Sequence, residues 1–161
     1  MPNLAIIFDS KTGYTETMAK AIVEGTKSVE GVTVSLKKLD DLSSLTLLDG
    51  ADSVAIGSPS HNGYVTLDVL IFLANIKQAI DTGTLKIDKK FGFAFGSYSW
   101  DGGICIEKLH EEMQTLGFKM GKKALAQVNP IPDSSSETQF LRECHKAGIT
   151  LAEETLTVNI S

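Results

Sequence analysis

The sequence holds only two cysteines, Cys105 and Cys144, and they stand far apart. They form no CxxC pair and no zinc or iron–sulfur spacing. Both fall within helical patterns and read as small core residues. His61, His110 and His145 form no ligand cluster either. A long apolar run is missing as well, so no segment approaches the length of a membrane span. The apolar run after Met1-Pro2-Asn3 stops at Asp9 and has no basic leader, which points to a cytoplasmic protein. Basic charge is in deficit: 15 Lys and Arg face 20 Asp and Glu, for a net charge of −5. A nucleic-acid binder needs a basic face to meet phosphates, so that class is disfavoured. A mildly acidic surface keeps a small protein soluble and suits docking to basic partner patches. Repeats, low-complexity tracts and linkers are absent.

What is present fits one domain over residues 1–161, long enough to bury a core without disulfide or metal staples. The apolar share of 42% and charged share of 22% are ordinary for a globular chain. Short apolar runs alternate with helical periodicity, the signature of βαβ units. Leu4 to Phe8, Val54 to Ile56 and Phe91 to Phe95 are continuous apolar runs, as in strands buried on both faces of a parallel sheet. Val32 to Leu36 and Lys123 to Val128 alternate instead, which places them at the edges. Five strands with the second and fifth outermost fit a doubly wound α/β sheet in the order 2-1-3-4-5, with helices on both faces.

Helices occupy the intervals. Thr15 reads as the cap of a helix reaching about Ser28, with Met18 and Ile22 on one face. Leu67, Leu70, Ile71 and Ala74 recur at helical spacing behind Thr66, a plausible N-cap. Ile106, Leu109, Met113 and Leu116 form another stripe, with Glu107, Glu111 and Glu112 turned outward. A last helix starts near Ser135, where Ser135-Ser136-Glu137 supply cap residues, and carries Phe140, Cys144, Ala147 and Leu151. Asp40 to Gly50, with Leu45, Leu47 and Leu48, suggests only a short helix.

In such a sheet ligands bind at the carboxyl ends of the strands, where strand order reverses. Three loops meet there. Ser10-Lys11-Thr12-Gly13-Tyr14-Thr15 joins a buried strand to a helix. It offers three hydroxyls, a flexible glycine and the free N–H groups of a helix N-terminus, which favour an anion. This phosphate cradle is neutral apart from Lys11, and it lacks the Walker spacing. Alone, the loop reads equally as a polar turn capped by Thr15. Gly57-Ser58-Pro59-Ser60-His61-Asn62-Gly63-Tyr64 follows the third strand. Its small residues allow a flat ligand to approach, and Asn62-Gly63 tolerates positive φ; alone, it is a plain surface turn. Gly96-Ser97-Tyr98-Ser99-Trp100-Asp101-Gly102-Gly103 follows the fourth strand. Its tryptophan, the only one in the chain, is either a stacking plate for an aromatic ligand or folded onto the core. A phosphate joined to a flat ring system fits the three loops together.

The motifs resemble a known family. Ser10 to Thr15 matches the [ST]-x-T-G-x-T phosphate motif of flavodoxins. Gly57-Ser58-Pro59 with its Gly-containing loop resembles the second flavin loop. Phe95-Gly96-Ser97-Tyr98-Ser99-Trp100 with Gly102-Gly103 resembles the third loop, F-G-S-Y-G-W, of short-chain flavodoxins and of the flavodoxin domain of flavodiiron proteins. No long insertion interrupts the last strand, as in the short-chain class, and no metallo-β-lactamase-like domain precedes the first. The resemblance implies non-covalent FMN. Its phosphate would be held by the N–H groups of residues 11 to 15, which include Lys11, Gly13 and Tyr14, and by the hydroxyls of Ser10, Thr12 and Thr15. Its rings would be held by Ser58, Pro59, Ser60, His61, Asn62 and Gly63 from the second loop. Ser97, Tyr98, Ser99, Trp100, Asp101, Gly102 and Gly103 would do the same from the third. Trp100 would stack on one flavin face and His61 would stand at or near the other. Ser99 replaces the usual glycine, and Asp101 is acidic where small residues are common. The Asn62 carbonyl is assigned to N5 of the semiquinone.

The resemblance also implies an electron carrier rather than an enzyme. It would shuttle single electrons between semiquinone and hydroquinone, as a monomer that docks redox partner proteins transiently at an exposed flavin edge. An FMN-dependent NAD(P)H:quinone-type oxidoreductase on the same fold is the alternative, although the chain has no GxGxxG. A phosphoryl-receiver domain shares the fold but needs clustered acids after the first strand, where only Asp9 stands.

Overall fold

The computed structural model describes residues 1–39, 41–121 and 123–157. The central strands are β1 (Asn3–Phe8), β3 (Ser53–Gly57) and β4 (Phe91–Tyr98). They are parallel and buried on both sides, which is why their sequences are nearly unbroken apolar runs. β2 (Thr33–Lys38) pairs with the outer side of β1, and its residues are exposed or half-buried, as an edge strand requires. The other edge departs from the single fifth strand read from sequence. It is shared by β5 (Lys119–Met120), paired to the start of β4, and β6 (Leu125–Val128), paired to its end. The sheet order is thus 2-1-3-4-5, with β6 sharing the fifth position.

The pleat sends alternate residues of β1 to opposite layers. Ala5 and Ile7 join Val54, Ile56 and Ala94 beneath α3 (Leu67–Asp81) and α4 (Ile104–Leu116), with Leu48 from α2 (Asp41–Asp49). Leu4, Ile6 and Phe8 join Phe93 and Phe95 beneath α1 (Tyr14–Lys27) and α5 (Ser135–Leu156). The short helix read over Asp40 to Gly50 is therefore α2, although Asp40 itself lies outside the described residues. The α4 and α5 stripes face the core as their spacing requires. Both cysteines are buried in those two helices.

Three helix readings need correction. The N-cap of α1 is Gly13, at φ 97°, and Thr15 is buried one residue inside the helix. A left-handed turn brings the chain into the helix sooner than a threonine cap would, and only glycine adopts it freely. α5 does start at Ser135, but its N-cap is Ser134 rather than any of Ser135, Ser136 and Glu137, and Ser134 makes no side-chain cap bond to the helix. In α3 the inward face is Val69, Phe72, Leu73, Ile76 and Ala79, while Leu67, Leu70 and Ile71 are exposed. The segment Leu67-Asp68-Val69-Leu70-Ile71-Phe72-Leu73 is apolar nearly all round, so two stripes satisfy the period, and the larger Phe72 fills the core. Thr66 does cap α3, its Oγ1 accepting the Val69 N–H at 3.4 Å.

α1 and α5 cross almost in backbone contact. A Cβ on Gly25 would lie 2.1 Å from the His145 carbonyl oxygen, and one on Gly148 would lie 2.1 Å from that of Ile22. Thr26 Oγ1 bridges the crossing, donating to the Ile22 carbonyl at 3.0 Å and the Gly148 carbonyl at 3.2 Å.

Candidate cofactor site

The three loops converge at the carboxyl end of the sheet, and hydrogen bonds tie each to the others. Thr15 Oγ1 and Ser97 Oγ lie 2.8 Å apart, joining the first loop to the third. The Ser60 N–H donates to the Ser97 carbonyl at 2.8 Å, joining the second to the third. Thr66 Oγ1 donates to Asp9 Oδ2 at 2.6 Å, joining the end of the second to the first.

The first loop is a cradle of donors. Ser10 Oγ accepts the N–H groups of Gly13 at 3.1 Å and Glu16 at 3.4 Å, which folds the loop around its own hydroxyl. Among the described residues, the N–H groups of Lys11, Thr12, Tyr14 and Thr15 have no acceptor. They sit at the N-terminus of α1, where free N–H groups and the helix dipole favour an anion. A Cβ on Gly13 would meet nothing within 4 Å, so the cradle opens outward. Lys11 does not lend it a free positive charge. Its Nζ lies 3.4 Å from Asp9 and 3.6 Å from Asp68, and the Asp9 carboxylate holds its ammonium above the usual lysine range.

The second loop is a two-residue turn. His61 and Tyr64 exchange backbone hydrogen bonds at 2.8 and 2.9 Å. Asn62 and Gly63 between them take φ 52° and 83°, the paired positive values of a type I′ turn, for which Asn-Gly is the preferred dipeptide. Ser58 and Pro59 are buried behind the turn. The Ser58 hydroxyl accepts the Thr66 N–H at 3.2 Å and so starts α3.

The third loop carries Trp100, 74% exposed, so it is not folded onto the core. Ser99 and Gly102 beside it are exposed, and a Cβ on Gly102 would also meet nothing within 4 Å. Tyr98 is half-buried and packs against Gly103, where a Cβ would lie 2.6 Å from its ring. Asp101 turns back to the second loop. Its Oδ2 accepts the Ser60 hydroxyl at 2.9 Å and the Gly63 N–H at 3.1 Å, and its Oδ1 accepts the Gly103 N–H at 2.9 Å. Partial burial pushes its carboxyl upward. The hydrogen bonds from Gly103, Gly63 and Ser60 together outweigh that and hold it below the ordinary aspartate value.

The flavodoxin family model matches residues 6–139. The chain is a member of the flavodoxin family. A flavodoxin of Aquifex aeolicus is 30% identical, over 95% of this chain and 86% of its own length. The structure of a flavodoxin from the domain Archaea superposes with a TM-score of 0.78 at 27% identity, covering 95% of this chain and 98% of that one. Larger proteins carry a similar segment. The rubredoxin oxygen:oxidoreductase of Desulfovibrio gigas gives a TM-score of 0.81 at 26% identity, over 99% of this chain but 37% of its own. The anaerobic nitric oxide reductase flavorubredoxin of Aeromonas hydrophila is 29% identical, over 94% of this chain and 29% of its own. This chain thus spans about a third of such relatives.

Members of the flavodoxin family bind FMN. The donor set here fits that cofactor: acceptor-free amides at a helix N-terminus for a phosphate, and an exposed indole for a flat ring. Four further residues shape the site without having been singled out from sequence. Asp9 is a buried acid at the end of an apolar strand, which is its only signal. Thr66 was read as a cap alone, and it also donates to Asp9. Tyr64 is 70% exposed and closes the Asn62-Gly63 turn through its backbone bonds to His61. Ile104 lies 3.8 Å from where a Cβ on Gly63 would be, and it is 54% exposed.

Proposed function

We propose that this flavodoxin-family chain works as one FMN-binding domain that carries single electrons between redox proteins in the cytoplasm. The observation that supports it most is the meeting of the acceptor-free amides of residues 11, 12, 14 and 15 with exposed Trp100 at one end of the sheet. In this reading those amides, with the hydroxyls of Ser10 and Thr12, hold the phosphate. Thr15 contributes its N–H, its hydroxyl being engaged with Ser97. Trp100 covers one ring face. Tyr64, or His61 beside it, covers the other. The flavin ring system supplies the redox chemistry, because it accepts electrons one at a time. Asn62 and Gly63 present a peptide to the ring edge.

The partner surface is the apolar rim made by these loops and the first turns of α3 and α4: Tyr64, Leu67, Leu70, Ile71, Trp100 and Ile104 are all exposed. A carrier that must release each partner after one electron suits a small apolar patch in an acidic surface, which steers encounter without holding the complex. Among the described residues no helix is long and apolar enough to cross a membrane. A second reading, an FMN-dependent NAD(P)H:quinone-type oxidoreductase, draws on a groove of ≈ 390 Å³ between α3 and α4. It begins at Gly63 and Tyr64 and has the size of a small-substrate site.

A visible spectrum of the purified protein, followed anaerobically through stepwise reduction, tests both. A yellow protein that develops long-wavelength absorbance before it bleaches supports the carrier. Direct bleaching together with steady NAD(P)H oxidation by the protein alone supports the reductase. A colourless protein that takes up no added FMN overturns both.

A further inference from the structure

The Asn62–Gly63 peptide is bipolar, with a donor N–H on one side and an acceptor carbonyl on the other. In a trans peptide the two point in opposite directions. Here the N–H is already committed. Asp101 Oδ2 accepts it at 3.1 Å, and the same oxygen accepts the Ser60 hydroxyl at 2.9 Å. The other carboxylate oxygen is fixed by the Gly103 N–H at 2.9 Å, so the carboxylate cannot rotate away without breaking a second bond. Charge-assisted bonds of this kind are roughly twice as strong as neutral ones. Among the described residues, the turn itself is otherwise closed by the two backbone bonds between His61 and Tyr64.

We propose that Asp101 is a positioning residue for the flavin, deciding which end of the Asn62–Gly63 peptide the bound cofactor meets. With the N–H occupied, a ligand reaching this peptide finds only the Asn62 carbonyl, an acceptor. Oxidised flavin N5 is itself an acceptor and gains nothing there; reduced flavin carries a hydrogen on N5 and can donate it. The latched turn is therefore set in advance for the reduced cofactor. Removing Asp101 frees a donor that serves the oxidised form instead. This inference rests on the FMN-binding reading of the site.

The test compares wild type with Asp101→Ala. In the cofactor-free protein, amide hydrogen exchange by NMR is expected to quicken at Gly63 by about tenfold or more, while amides of β1 and α5 keep their rates. Unchanged protection at Gly63 overturns the latch. In the FMN-loaded protein, the midpoint potential of the first electron is expected to fall; a tenfold shift in favour of the oxidised form is about 59 mV for a one-electron couple. The direction is diagnostic, because losing a negative charge beside the flavin would by itself raise the potential. A rise or no change overturns the assignment. If the alanine variant does not fold, Asp101→Asn keeps the shape and one acceptor oxygen, and smaller changes in the same directions are expected. Wild type that takes up no FMN overturns the function and this proposal together, whereas failure of the latch alone leaves wild type yellow.

Discussion

Replacing Gly148 with alanine tests the close backbone crossing of α1 and α5. The new Cβ would stand 2.1 Å from the Ile22 carbonyl oxygen and 2.9 Å from the Thr26 nitrogen. Both are backbone atoms of α1, so no side chain can swing aside. The helices must part by about 1 Å, and a gap of that size forfeits about a quarter to a half of each dispersion contact across the crossing. Met18, Ile22, Cys144 and Leu151 all belong to the layer that would loosen. Overpacking costs about 1–3 kcal/mol, and a backbone clash belongs at the upper end. Alanine returns about 1 kcal/mol over glycine as a helix former. The net loss is about 2 kcal/mol, or roughly 4–8 °C in the melting temperature of a chain this size. Urea unfolding of the cofactor-free protein measures it without ligand linkage. Gly50→Ala is the control: its Cβ would meet nothing nearer than the Thr46 carbonyl oxygen at 3.9 Å, so a change within about 0.5 kcal/mol is expected. A Gly148→Ala protein within about 0.5 kcal/mol of wild type would refute the argument that this crossing is rigid.

Three further outcomes follow from the same geometry. Trp100 is the only tryptophan and is exposed, so the cofactor-free protein should emit at a water-like wavelength and lose that emission as FMN is titrated in; Trp100→Ala should weaken FMN binding by about tenfold or more. Cys144 is fully buried and its thiol is pushed up to about 12 by burial, so Cys144 of the native protein should resist thiol reagents at pH 8 and react once denatured, as peptide mapping of the labelled protein would show. Asp101 is held below its ordinary value, so its contribution to stability is complete above the unfolded aspartate pKa of about 3.9 and is lost as pH falls through the lower folded value. Denaturation of wild type and Asp101→Asn should therefore differ by a constant amount from pH 5 to 8 and converge below about pH 4.

The sheet was legible because β1, β3 and β4 are buried on both faces and leave little room for polar residues between Leu4 and Phe8 or Val54 and Ile56. The loops were legible because Gly13, the Asn62-Gly63 pair and Trp100 are residue types with few alternative uses at strand ends. The inward face of α3 was not, because a helix apolar nearly all round satisfies the helical period more than once, and the choice is made by Phe72 and Ile76 against the sheet. Nor was the split of the last strand, since Lys119 and Met120 are too few to show a period. Asp101 read as a departure from the family pattern; its bond to Gly63 spans 38 positions and exists only once the two loops meet. Gly25 and Gly148 look like weak helix formers in isolation, and their purpose lies in each other.

The pairing of Lys11 with Asp9 and Asp68 bears on which molecules this protein can ignore. A cradle made of amides and hydroxyls, with its one ammonium already neutralised, has no long-range pull on anions. Its affinity for a phosphate should change little with salt, because little bare charge is there to screen. Polyphosphates, whose many charges would find counter-charges in a lysine- or arginine-lined pocket, have nothing to gain here, and the net charge of −5 discourages their approach. In the proposed FMN-binding reading, selection then falls to shape: a single phosphate for the four amide hydrogens and a flat ring for the exposed indole.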